Sequence, residues 1–112
     1  MGTATAITVR GPEAAQFRGV FSDMRVVRFT VNVGSLGSNA YDTTTVSVPG
    51  LDQTKDVVIG WTHTHTGGHT HEYIETFHTW TDELHMNAHN GGGNPVDPPS
   101  VDYTVVIGRL VA

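Results

Sequence analysis

Apolar residues recur along this chain with a period of two and almost never with the helical period, and this constrains its fold more than any other feature. Over residues 24–33, Arg25, Val27, Phe29, Val31 and Val33 share one face of an extended segment, and Val26, Arg28, Thr30 and Asn32 share the other. The first face is mostly apolar and the second largely polar. Gly34, Gly37 and Asn39 break the pattern, and residues 43–48 resume it with Thr44, Val46 and Val48 opposite Thr43, Thr45 and Ser47. Pro49-Gly50 ends that strand with turn chemistry. Asp56 opens a continuous apolar run over residues 57–61, which predicts a central strand covered on both faces. Residues 82–90 alternate Glu83, His85, Asn87 and His89 against Leu84, Met86 and Ala88. Residues 102–110 set Tyr103, Val105 and Ile107 opposite Thr104, Val106 and Leu110. Shorter strands are expected over residues 6–10 and 17–21, and only residues 12–16 offer one helical turn.

Parallel strands need crossover connections of about a dozen residues or more, usually helical, and this sequence has no such segment. With 112 residues the chain is expected to form one domain, 1–112, around one core. The predicted fold is all-β, an antiparallel β-sandwich of jelly-roll-like type with about seven or eight strands, carrying a His-rich inserted hairpin at 62–81. Gly91-Gly92-Gly93-Asn94-Pro95 reads as a loop within the domain.

Composition removes several function classes. Six Lys and Arg stand against eleven Asp and Glu, a net charge of −5, so nucleic acid is not an expected partner. The absence of cysteine leaves no disulfide, no thiolate nucleophile and no cysteine-held metal. No apolar run approaches the roughly 20 residues that span a bilayer, and the first residues lack a signal-peptide pattern, so no membrane association is expected. Synthesis in the cytosol is the corresponding expectation.

All seven histidines lie between His63 and His89. His63 and His65 alternate with threonine and would share a strand face with Trp61. Gly67-Gly68 would turn the chain, and His69-Thr70-His71 repeats the His-x-His unit. Imidazole is the commonest protein ligand for transition metals, which makes His63, His65, His69 and His71 the candidate metal ligands. Two other readings stand beside this one: solvated residues on a Thr-rich strand pair, or a cluster that charges below the ordinary histidine pKa of about 6.5. No cofactor is otherwise implied.

Catalysis is not expected. His69, His71 and Glu75 resemble the first metal motif of the cupins, a β-barrel superfamily of metal-dependent enzymes, and imply a less favoured enzyme reading. The resemblance stops at those positions, since His63 and Asp82 stand where that motif has glycines and no second motif follows. There is no Gly-x-Ser-x-Gly elbow and no His-Glu-x-x-His pair.

From residue 28 onward the features keep a recognisable order. An alternating strand and a Gly/Ser/Asn loop precede Thr43-Thr44-Thr45-Val46-Ser47-Val48-Pro49-Gly50-Leu51, then the strands at 56–59 and 82–90. Asn94-Pro95-Val96-Asp97-Pro98-Pro99 and a terminal strand over 103–110 complete the series. This order resembles the small β-sandwich virion proteins of tailed bacteriophages, of the capsid decoration or cement type. The resemblance implies a structural protein on the outside of a capsid, made in the host bacterial cytoplasm, partnered by a major capsid protein and assembled as a homotrimer at threefold positions. His63 to Trp80 departs from it, because such proteins carry a short connection there. Within a trimer the histidine strands would line the axis, and His85, His89, Tyr73 and Trp80 are the candidate interface residues. The alternative is a receptor- or glycan-binding module of a phage tail or fibre, with Tyr73, Phe77, Trp80 and residues 91–93 as its binding tip.

Overall fold

The computed structural model describes residues 20–64 and 72–111. Six strands make up the regular structure among these residues: β1 (Phe21–Val31), β2 (Tyr41–Ser47), β3 (Asp56–Thr64), β4 (Ile74–Trp80), β5 (Glu83–His89) and β6 (Val101–Leu110). They form two antiparallel three-stranded sheets, ordered β1-β6-β3 and β2-β5-β4, which face each other as the layers of a sandwich.

Alternation determines which residues fill the space between the layers. The central strands contribute most: Tyr103, Val105 and Ile107 from β6 meet Leu84, Met86 and Ala88 from β5, all fully buried. Removing each of the larger aliphatic side chains from water contributes roughly 1.5–3 kcal/mol. An aromatic trio closes one side, with the Tyr103 ring 5.7 Å from Phe29 and 5.4 Å from Phe77 between centroids. Phe29 and Phe77 meet edge to face at 6.0 Å.

Each end of the sandwich is held by a polar knot. At one end the β4–β5 hairpin turns at Thr81-Asp82, where Asp82 adopts a left-handed φ of 61°. Its N–H donates to Leu51 O at 2.8 Å, its carbonyl accepts from Val48 N at 3.0 Å, and its carboxylate accepts from Gly50 N at 2.8 Å. At the other end buried Asn90 donates from Nδ2 to the carbonyls of Leu36, Gly37 and Asn94, and its Oδ1 accepts from Gly92 N at 3.0 Å. Leu36 and Val96 form an isolated bridge beside it.

Three expectations are corrected. The described residues contain six strands; the one predicted over 6–10 and most of the one over 17–21 lie outside them. Among the described residues β3 is an edge strand and not a central one: β6 is its one partner there, and Val57 and Ile59 remain exposed on the outer side. The stretch 62–81 is not simply an insertion, because it contains β4, a full member of the second sheet. β3 and β4 belong to different sheets, so they are not ladder partners of one hairpin, and residues 65–71 between them lie outside the described residues. The alternation of β4 is inverted: Ile74 and Trp80 face outward while Glu75 faces the core side.

Candidate functional site

Three surfaces or clusters carry chemistry. The first lies between the sheets where β3 meets β4. Glu75 points inward with a side chain only 9% exposed, and its Oε1 accepts from Trp61 Nε1 at 3.1 Å. Tyr103 Oη donates to Glu75 Oε2 at 3.5 Å, and the Tyr73 and Tyr103 hydroxyls share a hydrogen bond of 2.8 Å. His63 Nδ1 lies 3.6 Å from Glu75 Oε1. An inward carboxylate is tolerable here because indole and phenol donors meet it. Burial is the main cause that raises the phenol pKa of both Tyr73 and Tyr103 above the ordinary tyrosine value. Both phenols therefore stay protonated near neutral pH and act as hydrogen-bonding struts between the layers.

Of the four candidate metal ligands, only His63 is described; His65, His69 and His71 lie outside the described residues. Among the described residues no group of three or more His, Asp or Glu is arranged to hold a metal ion. Glu75, the carboxylate of the cupin-like triplet, is engaged by Trp61 and Tyr103.

The second surface is the outer face of the β2-β5-β4 sheet. Cross-strand register arranges it in rungs. Trp80, Glu83 and Ser47 form one end rung, and His78, His85 and Thr45 form the next. Thr76, Asn87 and Thr43 follow, and Ile74, His89 and Tyr41 form the far rung. Tyr41 stacks on His89 at 4.1 Å with the rings 9° apart, and Trp80 lies nearly parallel to His85 at 5.7 Å. His85 Nε2 shares a hydrogen bond of 2.8 Å with Glu83 Oε2, and its ring meets His78 edge to face at 4.9 Å. His85, His89 and Trp80 thus share one face, as alternation within residues 82–90 anticipated for the two histidines. Tyr73 does not join them: it is buried at the core, as is Phe77, so neither belongs to an exposed tip. Beyond the His89 rung an open cleft of about 560 Å³ runs between Ile74 and residues 91–94.

The third surface was not anticipated. On the outer face of the β1-β6-β3 sheet, Met24 and Val26 keep 52% and 59% of their surface exposed, and Val57 and Ile59 stand beside them. Register places Val26 next to Val106, and Met24 and Val57 on either side of Gly108. Phe21 and Ile59 close over Gly108, where an added Cβ would sit 2.5 Å from Phe21 Cδ1 and 2.8 Å from Ile59 Cδ1. Irregularities between Phe21 and Asp23 and between Val58 and Gly60 bring these two side chains outward. Strict alternation cannot reveal a bulge; Met24 and Val26 are the apolar residues that the period of two places on the otherwise polar side of β1.

No helix among the described residues is long and apolar enough to cross a membrane. No family model, no curated protein and no solved structure matches this chain.

Proposed function

We propose that this protein is a structural component of a tailed-bacteriophage particle, a non-enzymatic decoration protein that adheres to the outside of the capsid and reinforces it. The observation that carries the reading is the apolar outer face of the β1-β6-β3 sheet, centred on Met24, Val26, Ile59 and Val106. Contiguous exposed apolar surface on a small domain marks a place where another protein is bound. A sheet face is rigid and broad, so docking it on a shell loses little conformational freedom. The resemblance of the sequence from residue 28 onward to phage decoration proteins implies the class of partner, a major capsid protein, and threefold assembly of the bound chains.

The test is binding to shells assembled from the major capsid protein of the same genome, with image reconstruction of the decorated particles. Saturable binding at threefold positions, lost in a Val26→Asp/Ile59→Asp variant that keeps its β-sheet circular dichroism, is the expected result. Location of the chain on tail fibres, or shell binding indifferent to those substitutions, would overturn it.

A further inference from the structure

The outer face of the β2-β5-β4 sheet differs in kind from the apolar face opposite. None of its three strands carries Lys or Arg, and its one outward carboxylate, Glu83, is taken up by His85. A polyanion finds no lysine or arginine there, and a polycation finds the single carboxylate of Glu83, already hydrogen-bonded to His85. Exposed rings stand at both ends, Tyr41 at 72% and Trp80 at 48% exposure. Stacking on His89 and His85 fixes their orientation while leaving much of each ring open. Between them lie neutral hydrogen-bonding groups. Asn87 Oδ1 accepts from the Thr43 hydroxyl at 2.8 Å, which orients the amide and leaves Nδ2 without a partner among the described residues. Thr45 and Thr76 hydroxyls flank it on the same face, likewise without partners among the described residues.

A purely apolar partner would cover these polar groups without satisfying them. A neutral polyhydroxylated chain fits both halves of the pattern, with sugar C–H faces against the rings and hydroxyls against Asn87, Thr45 and Thr76. Aromatic rings with few rotatable bonds, interleaved with small polar residues, suit recognition of this kind. The end rungs are six residues apart along β5, about 20 Å at the usual strand rise, which is room for a short oligosaccharide. We propose that this face binds a neutral oligosaccharide lying along β5 from Trp80 to Tyr41, its far end entering the cleft beside residues 91–94. This site is independent of capsid attachment, which uses the opposite sheet.

The experiment is a titration of the full chain with cellohexaose, maltohexaose, laminarihexaose and chitohexaose, and with heparin as the anionic control, followed by heteronuclear NMR. Expected is saturable binding of at least one neutral hexasaccharide and none of heparin, with shifts confined to the rungs between Trp80 and Tyr41. Affinity should fall at least tenfold in Trp80→Ala and in Asn87→Ala, two exposed-face changes that serve as mutual checks on folding. Four neutral sugars without effect at millimolar concentration would overturn the proposal. So would binding that Trp80→Ala and Asn87→Ala leave unchanged, or a self-association that buries this face and is abolished by Tyr41→Ala. Loss of capsid binding alone would leave it standing, since that reads the other sheet.

Discussion

Arg109 grips Asp56 through two N–H···O bonds, Nε to Oδ1 at 2.9 Å and Nη2 to Oδ2 at 2.8 Å. The pair joins β6 to β3, and its surroundings extend the connection. Asp56 Oδ2 also accepts from Asp52 N, Arg109 Nη2 donates to Gly50 O, and the Thr79 hydroxyl of β4 donates to the Asp56 carbonyl. One bidentate ion pair therefore ties both sheets to the turn between β2 and β3.

Asp56→Asn should destabilise the fold by about 2 kcal/mol, below the roughly 3–5 for breaking a wholly buried pair, because part of Arg109 reaches solvent. The hydrogen bonds from Arg109 hold the Asp56 carboxyl below the ordinary aspartate value. A depressed folded pKa means that its stabilisation is complete above the unfolded value of about 3.9 and is lost as pH falls through the lower folded one. Denaturant titrations at pH 6 and at successively lower pH should show this loss in the native chain and a smaller one in Asp56→Asn.

The tyrosine pair behaves in the opposite sense. Burial raises both phenols, so the protonated forms belong to the folded state and the unfolded chain ionises first, near pH 10. Stability is full below that pH and declines as it rises further. Tyr103→Phe, which removes the hydroxyl shared with Tyr73 and directed at Glu75, should cost about 1 kcal/mol at neutral pH. Tyr73→Phe/Tyr103→Phe should flatten the alkaline decline measured by circular dichroism.

Gly108→Ala probes the outer apolar face. Its methyl would stand within 2.8 Å of both Phe21 and Ile59, so both side chains must shift. Overpacking of this kind costs about 1 kcal/mol or more. Increased binding of an apolar dye, with a lowered melting temperature, is the expected outcome.

Asn90→Asp should be more harmful than Asn90→Ala. Alanine removes the amide but Leu36 O still accepts from Val96 N and Gly37 O from Ala40 N, whereas aspartate turns a charge toward all three carbonyl oxygens. A loss of about 3 kcal/mol for the aspartate variant, relieved in part as pH falls and the carboxyl protonates, is the result to look for in thermal melts.

The strands at β1, β2, β5 and β6 were legible because inward and outward residues alternate along most of each, as Leu84, Met86 and Ala88 do against Glu83, His85, Asn87 and His89. β4 was not, since a carboxylate occupies one of its inward positions and isoleucine and tryptophan occupy outward ones. Glu75 is tolerated inside where Trp61 and Tyr103, distant in sequence, supply donors to it. The same limit applied to β3, whose apolar run looked central although the bulge after Val58 sends Ile59 to an open face.

By itself, then, the sequence determined an all-β chain of short antiparallel strands, the polar face that His85 and His89 share, and the turns at Pro49-Gly50 and after Asn90. These follow from local period and backbone preference, which neighbouring residues decide. Which strands lie at the centre, which apolar residues remain outside, and which carboxylates are held inside were settled only by tertiary structure. Those depend on cross-strand register and on donors supplied from elsewhere in the chain, as with Arg109 for Asp56 and Trp61 for Glu75.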